Sequence, residues 1–179
     1  MTVRTRARNA VLLCLTALLA SSALTACSFG ARSNGADGPA KAEYSHTEAT
    51  EAVAQLPGIT SAEISTSTEG TPNQVLLLAR VSAEAGYSAS PAELLDYVIR
   101  QAWSSTEQKP TTTVRVDLSI EGQELDLVAL ADEIGLTGTV DASNKYDSSV
   151  HIQVDNVAAK YGAWPGEVPT PPASLGAGE

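Results

Sequence analysis

Cysteine is nearly absent from this chain: two in 179 residues, Cys14 and Cys27. That excludes a framework of several disulfides and any cysteine-built zinc cluster. Histidine is equally scarce. His46 and His151 are the only two and lie far apart, so no zinc-ligand spacing exists. Aromatic residues make up 4% of the chain, with a single Phe, and the core must therefore be built from Val, Leu, Ile and Ala. Basic residues are few: 11 Lys and Arg stand against 21 Asp and Glu, a formal charge of −10. Nucleic acid is excluded as a partner, because binding it needs a basic footprint. There is no G-x-S-x-G or S-x-x-K, no phosphate loop and no dinucleotide fingerprint, so no motif names a nucleophile or a cofactor.

What is present begins at the N-terminus. Arg4, Arg6 and Arg8 precede an apolar run from Ala10 to Ala20. That run is short of the roughly 20 residues that cross a bilayer as a helix. A basic start, a short apolar centre and small residues at its end describe a secretory signal. The run ends in Leu24-Thr25-Ala26-Cys27, which resembles the lipobox of bacterial lipoprotein precursors: an aliphatic residue, two small residues, then the cysteine. The resemblance spans residues 1–27. It implies cleavage before Cys27 and a diacylglyceryl group on its thiol. A plain cleaved signal with an incidental cysteine and a retained anchor are the competing readings. Loss of the three arginines from a chain at −10 leaves −13. Two acyl chains, at about 0.8 kcal/mol per buried methylene, anchor stably where one does not, while so acidic a domain is repelled from anionic lipid.

After Cys27, residues 27–43 read as a flexible tether of small polar residues. Residues 44–164 read as one α+β domain. Residues 165–179, rich in proline, read as a disordered or extended tail. Within the domain, Ser45-x-x-Glu48 opens a helix with a capping box, and Ala49, Ala52, Val53 and Leu56 form its apolar face. Two strands follow, "ITSAEISTST" and "QVLLLARVSA". A second helix starts at Ser90-Pro91 with stripe Leu95, Val98, Ile99 and Ala102. The run "TTTVRVDLSI" alternates as a half-buried strand. Residues 124–134 fit a third helix stopped by Gly135, although Leu125-x-Leu127 also permits a strand. "LTGTVDA" and "SSVHIQVDNVA" read as a final hairpin with Val150, Ile152 and Val154 inward. The predicted fold is a two-layer α/β sandwich: a mixed or mostly antiparallel sheet of about five strands with helices on one face. The α-β-β unit occurs twice, and with its "LPGI" turn it is similar to BON-type envelope modules, from which no function is carried over.

Candidate chemistry is sparse. Asp141, Asn144 and Asp147 share a turn that offers oxygen ligands, but without the order or central glycine of a calcium loop; a polar turn accounts for them. Asp117, Glu121 and Glu124 are close enough in sequence to be weighed as a glycosidase pair, yet acids at a strand end serve equally as solubilising charge. No metal site is expected. The best candidate is the polar sheet face, where Arg115, Asp117, His151, Gln153 and Asp155 point the same way if their strands are neighbours. These residues suit an envelope protein or a cell-wall glycan. The expected function is a non-catalytic, lipid-anchored binding or scaffolding module on the outer side of the cytoplasmic membrane. The alternative is a small-ligand or lipid-binding lipoprotein with a cavity between helices and sheet, which Ala49, Ala52, Ala102 and Ala131 permit; a wall-polymer hydrolase ranks last. Substituting Cys27→Ala is expected to move the protein from the membrane to the soluble fraction and to remove the lipid mass increment. Retention of both, read by fractionation and mass spectrometry, would refute the anchor.

Overall fold

A computed structural model describes residues 43–68, 70–143 and 148–176. The segment expected to be a signal, Cys27 and nearly all of the expected tether lie outside the described residues. The first helix, α1 (His46–Ala54), carries the expected capping box: the Glu48 N–H donates to Ser45 Oγ at 3.1 Å, and the Ser45 N–H donates to Glu48 Oε2 at 2.7 Å. The Ser45 N–H, together with the Ser45 hydroxyl donating to the same oxygen at 2.8 Å, holds the Glu48 carboxyl below its ordinary pKa. Gly58, at φ 78°, turns the chain after Pro57 into β1 (Ile59–Thr68), a conformation that side chains bearing a Cβ rarely adopt. β1 pairs antiparallel with β2 (Val75–Ala83). A crossover through α2 (Pro91–Ser104) then delivers β3 (Thr113–Ile120) parallel to β2, as a parallel pair requires.

Next comes α3 (Leu127–Glu133), capped by Asp126, whose Oδ1 accepts from the Ala129 N–H at 3.0 Å. The cap decides between helix and strand for this segment. Gly135 follows at φ 78°. The closing hairpin pairs β4 (Val140–Asp141) with β5 (Ser149–Gln153), and β5 runs antiparallel to β3. The sheet order is β1-β2-β3-β5-β4. The fold is α+β, with a five-stranded mixed sheet, and two α-β-β units flank the α2–β3 pair.

The chain departs from expectation after Gln153. The strand stops there, and α4 (Val154–Tyr161) begins. Val154, Val157, Ala158 and Tyr161 repeat at helical spacing, and Val157 is fully buried. Val154 and Asp155 are therefore helical, not the end of a strand. The proline-rich segment expected as a disordered or extended tail is extended and packed through Gly176. Pro169 is buried, a short 3₁₀ turn spans Ala173–Leu175, and Leu175 is 2% exposed within the core. The Gly166 N–H donates to the Trp103 carbonyl at 3.0 Å. We call residues 165–176 the strap.

The core lies between sheet and helices. Register places Leu77, Ala79 and Val81 beside Val114, Val116 and Leu118, and Val114 and Val116 beside Ile152 and Val150. Leu95, Val98, Ile99 and Ala102 meet them from α2, all at 0% exposure. Leu94, Tyr97, Gln101 and Trp103 are buried as well, so α2 is covered nearly all round. Truncating a fully buried Leu costs about 2–5 kcal/mol. Leu175→Ala is accordingly expected to lower stability by at least ~2 kcal/mol in chemical denaturation. An unchanged midpoint would mean that the strap does not contribute to the fold.

Candidate functional site

The register of β1, β2, β3 and β5 sets which side chains share the face turned away from the helices. Arg80 stands opposite Glu63 on one side and Asp117 on the other; Arg115 stands opposite His151, Asp117 opposite Ser149, and Thr113 opposite Gln153. The sequence-predicted residues Arg115, Asp117, His151 and Gln153 are thus brought together. Asp155 is not. It lies in the first turn of α4, where an acid faces the positive helix end. Arg80 and Glu63 belong to the site and were missed, because the polar half of β2 is interrupted by Leu76 and Leu78.

These charges form a ladder across three strands. Arg115 Nε donates to Asp117 Oδ1 at 2.7 Å, Arg80 Nε lies 3.4 Å from Asp117 Oδ2, and Arg80 Nη1 lies 3.3 Å from Glu63 Oε2. The Asp117 side chain is only 15% exposed, while Arg80 and Glu63 are half exposed. Asp117 is the shielded hinge of the ladder. Two cations share its two oxygens, Arg115 through a hydrogen bond and Arg80 through an ion pair. A shallow depression of about 140 Å³ beside it is lined by Arg80, Ser82, Asp117, Ser119 and Ser148 among others. On the same face, Thr113 Oγ1, Ser149 Oγ and His151 Nε2 are buried polar atoms without a hydrogen-bond partner among the described residues, as are His46 Nε2, Tyr87 OH and Trp164 Nε1 elsewhere.

The remaining candidates are settled by their surroundings. His46 Nδ1 lies 2.6 Å from Glu107 Oε2, and the same carboxylate accepts from the His46 N–H at 2.9 Å, which ties the start of α1 to the loop after α2. Asp141 accepts from the Ser143 N–H at 2.8 Å, and this bonding to Ser143 depresses its carboxyl pKa; Asn144 and Asp147 lie outside the described residues. Glu121 and Glu124 are exposed. Among the described residues no three His, Cys, Asp or Glu side chains are grouped to hold a metal ion.

Among the hollows that open on the helical side are two of similar size. One, of about 400 Å³, is lined by Asp96, Arg100, Lys160, Tyr161 and Glu167 with Trp103 and Gly166. Asp96 is its centre. It accepts from Tyr161 OH at 2.8 Å and lies 3.3 Å from Lys160 Nζ and 3.8 Å from Arg100 Nη1. Lys160 also donates to the Ile134 carbonyl. These charges are spent on one another, and they fasten α4 to α2. Burial, and then the Asp96 charge, push the Tyr161 hydroxyl well above its ordinary pKa.

The other hollow, of about 440 Å³, lies between α1, α2 and the strap. Ala52, Leu56, Val168, Pro169 and Pro171 give it apolar walls, with Tyr44, Tyr97 and Gln101 among its polar members. No strand residue lines it, so it is not the cavity between layers that the small residues permitted; Ala49, Ala102 and Ala131 are at 0% exposure in the core. A hydrogen-bond chain runs along it. Tyr44 OH donates to Gln101 Oε1 at 2.6 Å, and Gln101 Nε2 donates to Tyr97 OH at 2.7 Å and to the Pro169 carbonyl at 3.2 Å. Nothing in the sequence marked Gln101, because its importance depends on a strap expected to be unpacked.

Compared with known protein families, characterised proteins and solved structures, the chain matches none. The site must therefore be read from its own chemistry. Burial is the main force on its phenols: it raises the Tyr44 hydroxyl to about 12, aided by Tyr97 and Glu48, and raises Tyr97 also. A phenol held neutral in the fold stabilises it fully below pH 10, and that contribution is lost as pH rises through the folded value. Stability is expected to fall between pH 10 and 12, and Tyr44→Phe should flatten part of that fall. Denaturation midpoints across this range, with the phenolate absorbance of both proteins, provide the check.

Proposed function

We propose that the protein is a lipid-tethered, non-catalytic binding module at the outer face of the cytoplasmic membrane. Its open sheet face is the surface that meets a partner. The observation that carries the binding part is the set of three buried, unpartnered polar atoms on that face, Thr113 Oγ1, Ser149 Oγ and His151 Nε2. An unpaired buried polar group costs about 1–3 kcal/mol, which a partner carrying complementary groups would recover once rotation of the half-buried Thr113 and His151 side chains brings their polar atoms to the surface. Two hydroxyls and an imidazole beside a neutral ladder of two arginines and two acids suit a surface rich in amides or hydroxyls. That is the chemistry of an envelope protein or a wall glycan. The location rests on Leu24-Thr25-Ala26-Cys27 and the short apolar run before it. Among the described residues no helix is long and apolar enough to cross a membrane.

The ladder residues supply geometry for recognition, and no step of bond cleavage is assigned to them. Asp117 already holds both arginines, so it is a poor general base. A photocrosslinking side chain placed at Ser119 or Gln153, both exposed on the sheet face, is expected to capture one specific partner in cells. The same probe at Glu133 on α3 should capture none. Equal or absent capture from all three positions would overturn the assignment of the face.

A further inference from the structure

We infer that the hollow between α1, α2 and the strap is a binding site for a small uncharged amphiphile, an apolar body ending in one hydrogen-bond acceptor such as a ketone or ester carbonyl. The site lies in the layer opposite the sheet face, and the inference stands independently of the function proposed for that face.

Size and walls come first. At about 440 Å³ the hollow falls in the range of small-molecule sites. At about 30 Å³ per atom, the volume share of a liquid water molecule, it holds on the order of 15 non-hydrogen atoms. Side chains from α1 and prolines from the strap make its apolar sides, and Val168, 44% exposed, stands at its rim.

The acceptor follows from a count of protons. The Pro169 carbonyl can only accept, so the atom of Gln101 facing it must be the amide nitrogen, and Oε1 must be the atom that takes the Tyr44 proton. Both Gln101 N–H groups are then used, one on Pro169 and one on Tyr97 OH. The Tyr97 hydroxyl is consequently an acceptor from Gln101, and its own proton has no acceptor among the described residues. Tyr97 is 1% exposed. A buried hydroxyl with an unspent proton, at the edge of an apolar hollow, calls for a ligand that accepts.

Charge decides the rest. No Lys or Arg lines the hollow, and Glu48 is near enough to act on the Tyr44 hydroxyl. Arg100 acts on the Tyr97 hydroxyl from outside the lining and offers no direct ion pair there; a carboxylate would meet Glu48 without a cation in contact, which favours a neutral acceptor.

The test uses the full chain carrying Cys27→Ala, so that neither lipid nor detergent competes. Three probes of matched size are titrated and followed by amide chemical shifts: butyrophenone, butylbenzene and 4-phenylbutanoate. Butyrophenone is expected to bind about fivefold tighter than the other two, with shifts centred on Ala52, Leu56 and Gln101. Tyr97→Phe should remove that preference and leave butylbenzene unchanged; Ala52→Trp should abolish binding of all three. Should Tyr97→Phe not fold, the preference among probes in the chain that retains Tyr97, with its loss in Ala52→Trp, decides alone. No binding, equal affinities, tightest binding of the carboxylate, or a ketone preference that survives Tyr97→Phe would each overturn the inference. So would self-association that displaces the ketone, since a second copy would then fill the hollow.

Discussion

A helix covered nearly all round has to find a partner for each polar group on its covered sides, and in this fold that demand falls on Gln101. The side chain is 1% exposed in the last turn of α2, where an unsatisfied amide would be costly. Its three hydrogen bonds reach Tyr44, ahead of α1, Tyr97 one turn back on α2, and Pro169 in the strap. One amide therefore joins the beginning of the domain, its central helix and its last segment. Its bonds to Tyr44 and Tyr97 place both phenols on the hollow, and its bond to Pro169 holds the strap over α2. Leu175 and the contacts around Asp96 close the remaining sides.

The opposite face follows a different logic. Exposed ion pairs such as Arg80–Glu63 contribute about 0–1 kcal/mol, so the ladder adds little to stability at its outer end. Its inner end is more shielded. Asp117 holds Arg115 and Arg80 through separate oxygens, and loss of the acid would leave two cations facing each other. The value of the ladder lies in geometry: long side chains that would sample many rotamers are held in one arrangement across β1, β2 and β3. Leu76 and Leu78, buried at 4% and 6% on the same face, show that the face is not uniformly polar.

Much of the architecture was legible from periodicity and caps. Ser45 with Glu48, Ser90 with Pro91, and the alternation of Val114, Val116 and Leu118 each name a local structure whose physics is local. That Arg115 and His151 lie on polar faces followed from two strands that each have one apolar face; that β3 and β5 are neighbours was a condition of their meeting, which the register supplies. Three features were not legible in this way. The end of β5 was misread because Val150, Ile152 and Val154 alternate smoothly into a residue that also starts the helical series of Val157, Ala158 and Tyr161. The strap was misread because prolines break periodicity, and its anchoring residues, Pro169 and Leu175, are isolated apolar positions. Gln101 and Tyr97 then went unnoticed because they lie outside the apolar stripe of Leu95, Val98, Ile99 and Ala102. Compositional rules describe a segment by itself, and these residues are defined by what lies across from them.

The attachment of the domain's first residues has a mechanical consequence. Tyr44 is bonded through its backbone to Thr106 in both directions, at 3.1 and 2.8 Å, and through its hydroxyl to Gln101. Just beyond it, Glu107 grips both the backbone and the side chain of His46. A pull on the chain preceding Tyr44 is met first by this clasp at the C-terminal end of α2, several bonds loaded together, before any strand is reached. β1, the edge of the sheet, is shielded from that load. Tension arriving through the residues before Tyr44 would open the clasp and the hollow beside it first, and the face that carries the ladder would be the last to feel it.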